Sequence, residues 1–143
     1  FSRNLGVAFQ IINDLNDWIG DDSNKLSAGA DVIAGRPTLL WALALQSLDE
    51  TEQALLFSIA EDDCEMTITE RLQTAERLYH KSGAFDLALQ LVDKHQAKAE
   101  QVADELEVEP LRRLLYFLVD TVLERPEMPS PKVISLAIAA PVA

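Results

Sequence analysis

The stretch Gly6-Val-Ala-Phe-Gln-Ile-Ile-Asn-Asp-Leu-Asn-Asp17, running on into Trp18 and Ile19, decides how the rest of the chain is read. Placed on a helix at about 100° per residue, Gly6, Gln10, Asn13, Asp14 and Asp17 fall in one sector roughly 100° wide. Nearly every other position on the wheel is apolar: Leu5, Val7, Ala8, Phe9, Ile11, Ile12, Leu15, Trp18 and Ile19. A surface helix carries a broad polar face and an apolar stripe. Here the proportions are inverted, which predicts a mostly buried helix over residues 3–19 with a narrow polar stripe. Asp14 and Asp17 lie on that stripe three residues apart, so both can point at one cation. Buried carboxylates are unfavourable unless paired, hydrogen-bonded or bound to a metal.

Two Asp at helical spacing also suit an acidic helix end in water, and the following loop favours the cation. It reads Gly20-Asp-Asp-Ser-Asn-Lys25, then Gly29-Ala-Asp31, then Gly35-Arg-Pro-Thr-Leu39. Carboxylates followed by a Gly-rich loop holding Lys25 and Arg36 suit a magnesium-bridged phosphate. Hard oxygen ligands hold the metal and cations hold the phosphate oxygens.

With 143 residues, the chain is long enough for one domain with a real core. Apolar residues make up 48 % and aromatics 6 %, with Leu and Ala prominent, few Gly and Pro, and no sustained period-two alternation. That pattern predicts an all-α protein. A net charge of −12 argues against nucleic-acid binding and against docking on anionic membranes. The single cysteine, Cys64, excludes an intrachain disulfide and reads as a small packing residue or a chance position. No signal peptide and no run of about 18 apolar residues is visible, so the sequence reads as cytosolic with no membrane span. Phe1 and Ser2 open almost directly into the apolar helix, which reads as the second half of something larger or one piece of a cleaved chain.

Further helices follow in order. Residues 31–34 predict a single helical turn. Pro37 suits the first position of a fully buried helix over 37–48, where its missing N–H is no loss. Thr51 is placed as the cap of the next helix, with Ala54, Leu55, Phe57, Ser58 and Ile59 packing. Glu61-Asp-Asp-Cys-Glu65 reads as a solvated connector rather than a second metal site. Residues 67–81 are amphipathic and stop at Ser82-Gly83. The helix over 84–106 has a charged outer face, and His80 and His95 are assigned to the surface. Glu109-Pro110 starts the last strong helix, with Leu111, Leu114, Leu115, Phe117, Leu118, Val122 and Leu123 directed inward. Residues 127–143 read as a Pro-rich connector and a short apolar C-terminal segment.

The 6–17 stretch resembles the second aspartate-rich motif of the trans-polyprenyl diphosphate synthases, G-x-x-F-Q-x-x-D-D-x-x-D. Phe9, Gln10, Asp14 and Asp17 match it, and Asn13 stands where that family has its first Asp. The loop is similar to the family's G-K-…-D-x-x-x-G-K-x-T-L segment through Lys25, Asp31, Gly35, Thr38 and Leu39, with Arg36 in place of the second Lys. A weaker pattern over 97–125 is also similar. The likeness covers roughly residues 1–126, and its specific part is the first forty.

This resemblance implies the C-terminal half of an isoprenoid-synthase-type helical bundle. Its implied activity is prenyl transfer, in which isopentenyl diphosphate is condensed with an allylic diphosphate and Mg2+ is required. The catalytic set it implies is Gln10, Asp14 and Lys25. Asn13, Asp14 and Asp17 would hold the metal, and Lys25 and Arg36 the substrate diphosphate. It further implies a homodimer and partnership with an N-terminal half carrying the first aspartate-rich motif, which this sequence lacks. The isolated fragment is therefore expected to be inactive. Competing readings are a non-catalytic regulatory or assembly subunit of a prenyl synthase, a terpenoid enzyme that ionises a diphosphate to another fate, and an unrelated helical interaction module.

Overall fold

Local capping chemistry sets the helix boundaries. The computed structural model describes residues 1–18, 29–61 and 63–125, and among these the chain is all-α. The described helices are α1 Ser2–Asn16, α2 Ala30–Ile33, α3 Leu39–Ser47, α4 Glu50–Ser58, α5 Ile68–Ser82, α6 Ala84–Asp104 and α7 Glu109–Val122. None is long and apolar enough to cross a membrane. Lys25 and the segment 127–143 lie outside the described residues.

Two predicted starts are displaced by better caps. Pro37 stays outside α3, because the Thr38 hydroxyl accepts the Trp41 N–H at 3.3 Å and makes Thr38 the N-cap. Asp49, rather than Thr51, caps α4 by accepting the Glu52 N–H at 2.9 Å. In both places a side-chain oxygen satisfies an otherwise orphaned donor, which outweighs the sequence cue further along. The α5 boundaries follow the pattern: Thr67 and Glu70 form a reciprocal capping box, and Gly83 ends the helix at φ 71°.

Helix α1 packs chiefly against α6, with α3 and α7 also touching it. Asn4 meets His95 near the start of α1 and Trp18 meets Phe85 beyond its end, so α1 and α6 run antiparallel. Helix α7 runs back along α6, tied by Tyr116 Oη donating to Asp104 and by Arg125 pairing with Asp93. Helix α3 lies on α5 and α6. The core between them is built on Leu15, Leu40, Leu56, Ile59, Leu78, Tyr79 and Val92, all fully buried.

Several predicted inward positions face outward. Helix α1 buries Ala8, Ile11, Ile12 and Leu15, while Val7 and Phe9 are exposed, so it is half covered rather than mostly buried. On α4 the buried residues are Leu56 and Ile59, whereas Phe57 is half exposed. On α7 only Val119 and, just past the end, Leu123 are buried; Leu111, Leu114 and Phe117 face outward. These helices carry apolar residues over more of their circumference than their neighbours cover, and periodicity alone does not say which arc is covered. Helix α3 is nearly enclosed through Leu40, Trp41, Leu43 and Ala44, although Ala42 and Gln46 are exposed. The 61–65 connector is open as predicted, with Glu61, Asp63 and Glu65 exposed.

Candidate functional site

The polar stripe of α1 meets the start of α3. The half-buried Asp14 accepts the backbone N–H of Leu39 at 3.0 Å through Oδ2. Leu39 is the first residue of α3, so a carboxylate of α1 satisfies a free donor at a helix N-terminus. That contact joins the two parts of the sequence that carried the resemblance.

Asp17 follows one turn later. Its carbonyl accepts the Gly29 N–H at 2.8 Å, which closes the chain from α1 onto α2. Burial raises the Asp17 carboxyl above the usual carboxylate value, and the charges of Asp31 and Asp14 raise it further. The backbone N–H groups of Asp31 and Gly29 oppose that shift. Asp14, Asp17 and Asp31 thus share one electrostatic neighbourhood, which an added cation would relieve. Among the described residues no three His, Cys, Asp or Glu side chains converge as a closed metal cage. Magnesium seldom asks for one: one or two carboxylates, waters and substrate phosphates suffice. The donor set of hard oxygens around Asp14 and Asp17 fits such an ion.

Gln10 and Asn13 are exposed on the same stripe. Arg36 is exposed and paired with Asp31, Nη1 to Oδ1 at 3.0 Å, while its own N–H bonds the Asp31 carbonyl at 2.8 Å. It therefore stands one residue-contact away from Asp17, held by a carboxylate that a phosphate could displace.

Along α1 the site opens into a groove of about 550 Å³. It runs from Asp14 and Leu39 past Gln10, Ile11, Val7 and Gly6 to Arg3 and Ser2, with Leu91 and His95 of α6 as the other wall. Arg3 and Asp14 are eleven positions apart, about 16 Å along the helix. A Cβ at Gly6 would meet nothing within 4 Å, so the glycine leaves this wall open.

Three residues that the sequence assigns to packing or surface are partly or fully buried. His95 is half-buried, with Nδ1 3.1 Å from Asn4 Oδ1, and lines the groove instead of facing solvent. His80 is also half-buried, its ring tilted against Phe85 and its Nε2 enclosed. Tyr79 is fully buried, and its hydroxyl lies within reach of the Thr38 side chain without a well-formed hydrogen bond among the described residues. Its ring lies edge-on to Trp18 at 5.1 Å. Burial, and then the nearby Asp14 and Asp17 charges, push the phenol well above its usual range, with Thr38 opposing them. Helical spacing marks Tyr79 as inward; nothing in the spacing says that its ring meets Trp18, the residue after Asp17.

A family model described as polyprenyl synthetase matches residues 1–75 of the 143, the part that contains Asp14, Asp17, Arg36 and the start of α3. The chain belongs to the polyprenyl synthetase family. It is 30 % identical over 126 residues to a short chain isoprenyl diphosphate synthase of Methanothermobacter thermautotrophicus, a match covering 87 % of this chain and 38 % of that protein. It is 29 % identical over 127 residues to an all-trans-nonaprenyl-diphosphate synthase (geranyl-diphosphate specific) of Rhodobacter capsulatus, again covering 87 % of this chain and 38 % of the relative. The chain thus spans little more than a third of the length of these polyprenyl synthetase relatives. No solved structure matches it.

Proposed function

We propose that this chain supplies the second aspartate-rich half of a magnesium-dependent prenyltransferase, which condenses isopentenyl diphosphate with an allylic diphosphate. The observation that carries this reading is the carboxylate Asp14, bonded to the α3 N-terminus, at the head of an apolar groove. A diphosphate ester with a hydrocarbon tail has the same two parts in the same order. The two relatives, named as synthases of prenyl diphosphates, support it.

Magnesium, when bound, would neutralise the charge that develops on the departing diphosphate. Asp14 and Asp17 would hold it, and Asn13 would add a neutral amide oxygen from the rim. Lys25 and Arg36 would bind diphosphate oxygens by charge-assisted hydrogen bonds. Gln10, next along the stripe, faces the start of the groove and would orient the reacting allyl group. The allylic C–O bond breaks with its electron pair leaving on the diphosphate. The double bond of isopentenyl diphosphate then supplies the pair for the new C–C bond, and a proton is lost. Ile11, Val7 and Leu91 form walls that keep water from the allylic cation.

By this reading the isolated 143-residue chain does not turn over, since it contains no D-D-x-x-x-x-D motif. The full-length protein should form longer prenyl diphosphates from isopentenyl and geranyl diphosphates with magnesium, and Asp14→Ala should abolish the reaction. Folded full-length protein that neither turns over nor binds magnesium pyrophosphate would transfer support to a non-catalytic assembly subunit.

A further inference from the structure

Helix α7 carries an apolar face that the described helices leave open. At about 100° per residue, Leu111, Leu114 and Leu118 fall within roughly 60° of one another, and Phe117 borders them. Leu111, Leu114 and Phe117 are 41, 52 and 63 % exposed, while Val119 and Leu123 turn into the core. A contiguous face of this kind marks a contact, and its size decides which. It offers only a few hundred Å² of apolar surface, short of the roughly 800 Å² per partner of a stable interface between separate chains. A segment tethered to the same chain needs less, because a short linker holds it at millimolar effective concentration.

The chain itself supplies such a segment. Val133-Ile-Ser-Leu-Ala-Ile-Ala-Ala140 carries no charge and a single hydroxyl. We propose that residues 133–140 are the occupant of the α7 face. The described chain ends at Arg125, at the C-terminal end of that face, where Arg125 pairs with Asp93 and bonds Gln96 of α6. From Arg125 back to Leu118 is about 10 Å of helix. Residues 126–132, Pro-Glu-Met-Pro-Ser-Pro-Lys, can span up to about 22 Å, so the reach is ample. From Leu118 to Leu111 is again about 10 Å, and residues 133–140 measure about 12 Å even at the short rise of a helix. Charge agrees with this placement: Lys132 directly precedes the apolar run, and Asp120 and Glu124 are exposed near the point of return. Helix α7 packs on α6, whose Leu91 and His95 wall the groove, so a segment closed over α7 braces the layer that carries that wall. The inference is independent of the diphosphate chemistry.

The test is hydrogen exchange and thermal melting of the full-length protein, comparing the wild type with Leu136→Asp/Ile138→Asp. In the variant the α7 amides over residues 114–122 should exchange about 10-fold faster or more, the factor that one lost buried aliphatic side chain carries, while α1 is unchanged. Leu136→Ala/Ile138→Ala should move the same amides in the same direction by less. Leu114→Asp should lower the melting temperature of the wild type and add little in the Leu136→Asp/Ile138→Asp background, since residues in contact are not additive. Lys132→Glu should speed the same exchange several-fold at low salt and less at high salt. Equal α7 exchange in the wild type and Leu136→Asp/Ile138→Asp overturns the proposal and gives the face to another part of the full-length chain. Additive effects of the Leu114 and Leu136/Ile138 substitutions overturn it as well. Protection of α7 that rises with protein concentration gives the face to a second copy instead.

Discussion

Gly29 and Gly83 share a backbone conformation and differ in what surrounds them, which makes them a controlled pair. Their φ angles are 70° and 71°, in the left-handed region. Alanine there costs about 1–2 kcal/mol on backbone grounds alone. At Gly83 nothing lies within 4 Å of an added Cβ, so that is the whole effect. At Gly29 the Cβ would stand 2.6 Å from Leu72 Cδ2 and 3.0 Å from Trp18 Cη2. Leu72 presents the end of a flexible chain and can swing aside. Trp18 cannot do so freely, because its ring is edge-packed against Tyr79 and Phe85. Overpacking of this kind adds about 1–3 kcal/mol. Gly29→Ala should therefore lose about 2–5 kcal/mol against about 1–2 for Gly83→Ala. Urea unfolding monitored by tryptophan fluorescence measures both. Equal losses would refute the claim that Trp18 is locked over Gly29, and with it the rigid link from Asp17 to the core.

Gly6→Leu should place its side chain in the open groove, leaving thermal stability unchanged or slightly higher, since leucine is the better helix former. Turnover with long allylic diphosphates should drop while the melting response to magnesium pyrophosphate is kept; undiminished turnover would remove the tail from this groove. Asp17→Asn should raise the melting temperature of the ligand-free protein at neutral pH. The raised pKa means that ionised Asp17 opposes folding above that pKa, and the penalty disappears below the ordinary value of 3.8. The gain should therefore close as the pH is lowered to about that value, and a gain independent of pH would show that charge is not its cause. Arg36→Ala removes an exposed pair with Asp31, worth at most about 1 kcal/mol to the fold. Pyrophosphate affinity should nonetheless fall several-fold, and an unchanged affinity in titration would take Arg36 out of the site.

The sequence by itself determined the all-α class, the order of the helices, and the stripe bearing Gln10, Asn13, Asp14 and Asp17. These follow from periodicity and local signals such as the stop at Ser82-Gly83, which act within a few residues of chain. The same local information placed Pro37 and Thr51 at helix starts, where Thr38 and Asp49 had the better oxygen for a free N–H. Only the tertiary structure decided which arcs of α1, α4 and α7 are covered, because burial depends on the neighbour that arrives and not on the helix that is met. It also decided that Asp14 reaches Leu39, 25 positions away. By the same means His95 came to line a groove beside Asn4, and Tyr79 to lie fully buried against Trp18. Each of these is a meeting of residues distant in the chain, and a one-dimensional pattern holds no distance between them.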